Sequence, residues 1–85
     1  MHPSKFWCVV NLAIPADKLQ RFLDYACYKF DCREILLGGI CFDPDTLLDH
    51  ANYAIDLVYK AIGVCNHEIG LLTTRDPSYG QCKFP

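Results

Sequence analysis

Apolar residues recur at Leu19, Phe22, Leu23, Ala26 and Cys27, the i, i+3, i+4, i+7, i+8 spacing of one helix face. This predicts a first helix opening at Pro15, whose fixed φ suits the first helical position. A second stripe runs through Leu47, Ala51, Ala54, Ile55, Val58 and Ile62. Its start signals are Asp43 as cap, Pro44 to begin the turn and Asp45 at the positive helix end. Gly63 closes it. Outside these stripes, Val9-Val10 and the segment Ile69–Thr74 have strand character and are expected to pair as a short sheet, which needs helix packing to survive. Leu36-Leu37-Gly38-Gly39-Ile40-Cys41 and Asp76-Pro77-Ser78-Tyr79-Gly80 read as turns. The pattern is that of a small α domain with a minor β element.

Three tyrosines break the polar faces of these helices. Tyr25 and Tyr28 lie away from the first stripe, near Asp17, Lys18 and Arg21. Tyr53 falls opposite the second, beside Asp49, Asp56 and Lys60. A flat apolar ring among hydrogen-bonding groups suits a sugar, whose C–H face packs on the ring while its hydroxyls pair with carboxylates and amides. The plainer alternative is that irregular loops lie over both helices and the tyrosines support them. Trp7 and Phe42 each adjoin a cysteine and read as core.

Composition narrows the class. Six cysteines are spread across 85 residues, an even number spanning the chain, as in a disulfide framework made in an oxidising compartment. Zinc would want C-x-x-C pairs, and none is present. The length fits one domain, whose small core leaves a large share of stability to cross-links. A net charge of −2 with scattered basic residues argues against nucleic acid. No run approaches the about 20 apolar residues of a membrane span. The start, Met1-His2-Pro3-Ser4-Lys5, lacks the apolar stretch of a secretory leader, against the cysteine reading. The expected resolution is a module from a longer secreted protein, or a lost leader.

Catalysis finds little footing. Asp45 and Asp49 share a helix face, and a carboxylate pair can in principle hydrolyse glycosides. Asp43 and Asp45 are already used as cap and dipole residues, and His50 sits at the stripe's edge, where a packed histidine is the ordinary outcome. Asp43-x-Asp45 lacks the remaining ligands of a calcium loop. No enzyme activity, metal or cofactor is expected.

Several ordered segments then converge. Trp7-Cys8-Val9, Leu23-Asp24-Tyr25-Ala26-Cys27, Asp31-Cys32, Gly38-Gly39-x-Cys41-Phe42-Asp43-Pro44-Asp45-Thr46, His50-Ala51-Asn52-Tyr53-Ala54 and Asp76-Pro77-Ser78-Tyr79-Gly80-Gln81-Cys82 resemble the plant X8 domain, also called carbohydrate-binding module family 43. The likeness runs over residues 7–85, leaving residues 1–6 as an N-terminal extension. It implies a disulfide-rich α+β fold of two helices and a small antiparallel sheet, with bridges Cys8–Cys65, Cys27–Cys32 and Cys41–Cys82. It also implies non-catalytic binding of β-1,3-glucan (callose) in the plant cell wall or at plasmodesmata. Many family members are secreted and carry a lipid (GPI) anchor signal after the module; this chain is expected to be a monomer that does not itself insert into membrane. Tyr53, Tyr59, Tyr79 and Phe84 are the expected stacking residues, with Asp49, Asn52 and Asp56 as hydrogen-bonding neighbours. Departures from the family pattern are Tyr28 in place of a usual glycine, Asp56-Leu57-Val58-Tyr59 where Asn-x-Tyr-Tyr is common, and a shortened segment before Cys65. The competing reading is a secreted interaction or defence protein, allergen-like or inhibitory, that uses the scaffold without sugar.

Overall fold

The computed structural model describes residues 5–85; residues 1–4 of the expected extension lie outside the described residues. In chain order come β1 (Trp7–Val10), α1 (Ala16–Lys29), a short 3-10 turn (Arg33–Ile35), α2 (Leu47–Ile62) and β2 (Gly70–Thr73). The two strands pair antiparallel, with Val9 opposite Leu71 and Val10 opposite Gly70. The bridges are Cys8–Cys65, Cys27–Cys32 and Cys41–Cys82. Fold class and disulfide order are therefore as expected.

The helix starts differ in detail. Pro15 stays extended at the N-cap of α1, with ψ of 150°, and the helix begins at Ala16. The cap of α2 is Thr46, not Asp43. Thr46 is extended, and its hydroxyl accepts the Asp49 N–H at 3.1 Å. Only a residue directly before the first turn can reach the orphan N–H groups there, and Asp43 stands too far upstream. Gly63 ends α2 as expected, left-handed at φ 77°, a conformation that an added Cβ would disfavour.

Burial of α2 is the organising fact of the fold. Ala51 and Ile55 join Cys8, Val10, Leu19, Cys65 and Ile69; Ala54 and Val58 pack with Ala26 of α1. Tyr53, on the face opposite that stripe, joins a third cluster with Trp7, Cys32, Ile35, Cys41, Cys82 and Phe84. The middle of this helix is thus enclosed on several sides, by α1, by β1 and by the C-terminal segment. Ile62 escapes the cover and is exposed.

The sheet sits so close to α2 that one position tolerates no side chain. A Cβ on Gly70 would run into Ile55 Cδ1 and lie 3.1 Å from both Cys8 Sγ and Val9 O. Gly70→Ala is expected to lower stability by about 2 kcal/mol, the typical cost of overpacking. A urea melt indistinguishable from wild type would show that Ile55 yields freely.

Candidate functional site

Asn11 donates its N–H to Ile69 O at 2.9 Å. Alternation along the strand then turns the N–H groups of Cys8 and Val10 away from β2, to the edge where a third strand would stand. Helix α2 fills that place with side chains. Asp56 Oδ1 accepts from Cys8 N–H at 2.9 Å and Asn52 Oδ1 from Val10 N–H at 2.7 Å. The spacing fits because four helical residues advance about 6 Å and two strand residues about 6.7 Å. Two residues expected to meet sugar hydroxyls are instead committed to the fold.

Asp56 is wholly buried, and its Oδ2 has no hydrogen-bond partner among the described residues. The nearest cation is Lys60 Nζ, 3.7 Å away. Desolvation raises the Asp56 pKa above its ordinary value; the Cys8 N–H and Lys60 offset this only in part. Lys60 emerges from that pocket with its ammonium 5.4 Å from the Trp7 ring centroid and 5.8 Å from that of Tyr59, and donates to Pro85 O. Each placement lies within cation–π range.

Around this lysine opens a groove of about 460 Å³. Trp7, Tyr59 and Phe84 supply its aromatic floor, Phe6 adds an exposed ring, and Asp76 and Ser78 stand on its rim. The rim is locally built: Asp76 Oδ1 accepts the Ser78 N–H at 2.8 Å, and Ser78 Oγ accepts the Phe84 N–H at 2.9 Å. The Ser78 hydroxyl and N–H together hold the Asp76 pKa below the ordinary carboxylate range. The groove thus offers flat apolar faces, an ionised acceptor and a hydroxyl side by side.

Of the seven expected site residues, Tyr59 and Phe84 line this groove, Tyr59 half-buried and Phe84 buried beneath it at 9% exposed. Tyr79 stands next to it, its ring 6.3 Å from that of Phe84 and its hydroxyl donating to Asp43 O at 3.1 Å. Tyr53 does not present a face to solvent. Only 6% of it is exposed, and its ring meets Phe84 at 5.4 Å. Burial and the carboxylates of Glu34, Asp31 and Asp56 push its hydroxyl pKa up. The helical pattern misplaced it because chain segments distant in sequence cover the polar face of α2. Asp49 is occupied with the Thr46 cap. His50 is packed as expected, with Nε2 2.7 Å from Phe42 O.

The sequence pattern assigned Trp7 to the core alone, placed Lys60 beside Tyr53 and Asp76 and Ser78 in a turn, and named none of these three, nor Phe6, as a site residue. Trp7 is indeed buried, but it also lines the groove. The one available signal was the Asp76-Pro77-Ser78 turn, whose Asx geometry orders polar groups. Tyr25 and Tyr28 are exposed, as their off-stripe positions implied. All six cysteines are bridged. Among the described residues no three His, Cys, Asp or Glu side chains gather as metal ligands, and no helix is long and apolar enough to cross a membrane.

Comparison with known proteins adds relatives to this geometry. The family model described as "X8 domain" matches residues 6–68. A wheat (Triticum aestivum) glucan endo-1,3-beta-glucosidase is 40% identical over 83 residues, covering 92% of this chain and 18% of that protein. Plasmodesmata callose-binding protein 2 of Arabidopsis thaliana is 38% identical over 90 residues, covering 99% of this chain and 46% of that one. The olive (Olea europaea) major pollen allergen Ole e 10 is 35% identical over 88 residues, covering 95% and 72%. The chain therefore spans less than half of the first two of these relatives. No solved structure gives a significant match.

Proposed function

The chain belongs to the X8 domain family, and from that premise we propose that it is a non-catalytic module that binds β-1,3-glucan outside the cell, in the plant wall or at plasmodesmata. The observation that carries the reading is the aromatic-floored groove of Trp7, Tyr59 and Phe84. Relatives named for callose binding and for endo-1,3-glucan hydrolysis supply the polymer class. Three bridges agree with an oxidising compartment.

In this reading glucosyl rings lay their C–H faces on the half-buried Tyr59, with Phe6 and Tyr79 extending the aromatic row and the buried Phe84 backing it. The ionised Asp76 accepts from sugar hydroxyls, and the Ser78 hydroxyl pairs with them beside it. Preorganisation limits the ordering cost, since the Cys41–Cys82 bridge and the Ser78–Phe84 hydrogen bond hold the C-terminal wall in place before any ligand arrives. Individual contacts are modest, and repeated sites on an insoluble polymer raise retention.

Co-sedimentation of the oxidised domain with insoluble β-1,3-glucan, beside cellulose and starch, tests the proposal. Retention on the β-1,3 polymer alone is expected. Tyr59→Ala should weaken it roughly tenfold, the scale of losing one central aromatic anchor, without unfolding the domain. Absence of retention on all three polymers would favour a secreted interaction or defence protein that works without sugar.

A further inference from the structure

The chain is acidic overall, at −2, yet its groove is not. Lys5, Lys60 and Lys83, three of the five lysines in the sequence, line it together with Pro85 and, among the described residues, one carboxylate side chain, Asp76. Lys60 is already engaged by Asp56 and the Pro85 carbonyl. Lys5 and Lys83 are exposed, and both lower the Asp76 pKa through space, so their charges reach the same rim. A neutral glucan can use these ammonium groups only as hydrogen-bond donors to its hydroxyls and leaves their charge unpaired. An anionic sugar polymer does.

We propose that the same groove also takes a carboxylated polysaccharide, a chain of uronic acid residues, with Lys5 and Lys83 pairing its carboxylates. This rests on the reading of the groove as a saccharide site. The geometry distinguishes a uronate from a bare anion. Tyr59, half-buried, and Phe6, exposed, provide apolar ring surface over a floor of buried Trp7 and Phe84, which an inorganic anion would leave unused. In a pyranose uronate the carboxylate projects equatorially from the ring edge. A ring stacked flat on an aromatic floor therefore aims its charge sideways, towards the rim. Lysine suits that task, because its ammonium is a mobile point charge that follows a carboxylate without demanding one bidentate geometry. Exposed pairs of this kind are individually weak and strongly screened, so selection between the two polymers depends on ionic strength.

Calorimetric titration of the oxidised domain with an oligogalacturonate, and with a β-1,3-gluco-oligosaccharide of equal length, tests this. Uronate affinity is expected to fall about fivefold or more between low salt and about 0.5 M salt, where the screening length is only a few ångströms, while glucan affinity stays level. The double variant Lys5→Gln/Lys83→Gln should cost the uronate about fivefold more than it costs the glucan, at about twofold per exposed pair or somewhat above. Tyr59→Ala should weaken both ligands, as required if they share one groove. Uronate binding that is absent, or indifferent to salt and to the lysine pair, overturns the proposal while leaving the glucan reading standing if that ligand binds. Uronate binding without glucan binding supports it and overturns the glucan reading. Binding of neither overturns both.

Discussion

Replacing Cys41 and Cys82 together by serine is expected to lower the stability of the domain by about 4 kcal/mol, and the Cys8/Cys65 pair by a similar amount, against about 2 kcal/mol for Cys27/Cys32. The ranking follows from the loops closed, with sequence separations of 41 and 57 residues against 5. Packing adds to it. Cys8, Cys41 and Cys82 are essentially inaccessible, whereas Cys27 is only partly buried. The Cys41–Cys82 bridge has a second consequence. It pins the segment carrying Phe84 against Tyr53 and Trp7, so its loss should also remove one wall of the groove and with it most glucan retention. The Cys27/Cys32 variant should keep binding. Denaturant melts and co-sedimentation of the three serine pairs check both points, and equal losses across the three would contradict the ranking.

Asp56→Ala is expected to cost about 3 kcal/mol, because it leaves the Cys8 N–H unpaired and strips Lys60 of its buried partner. Asp56→Asn should match wild type at low pH and equal or exceed its stability at neutral pH, since an amide oxygen still accepts the Cys8 N–H and no charge is left in the core. The two variants also differ from wild type in pH dependence. The Asp56 pKa is raised in the folded protein above its ordinary value of 3.8, so the folded state holds that proton to higher pH than the unfolded chain. Stability from this group is therefore greatest at low pH. It falls as pH rises from the ordinary value through the raised folded value, and the penalty is fully present above that. Asp76, with a lowered pKa, contributes the opposite slope at more acid pH. The difference between wild type and Asp56→Asn isolates the buried group: urea melts across the acid range should converge at low pH and diverge as pH rises. A constant gap would show that folding does not raise the Asp56 pKa, and an asparagine variant as unstable as the alanine one would show that the ionised carboxylate is what the fold requires.

Both helices could be read from the chain because each carries a continuous apolar stripe. Such a stripe is a local property, set by residues within a few turns of one another. The two strand segments were likewise legible as local runs, and the disulfide order came with the resemblance to the X8 family. The candidate site was legible only in part. Tyr59 and Phe84 fell in the groove, whereas Tyr53 went inside and Asn52 and Asp56 became acceptors for the free edge of β1. Nothing within α2 distinguishes an aspartate that meets solvent from one that receives a strand N–H from 48 residues away.

Sequence alone thus determined the amphipathic elements, the need for covalent bridging and the kind of residue available for a sugar. Tertiary structure decided which of those residues remain at the surface. That outcome depends on where the N-terminal strand and the C-terminal segment lie across α2. The disulfides and long-range hydrogen bonds that place them join positions far apart in the chain, so no local pattern records their effect.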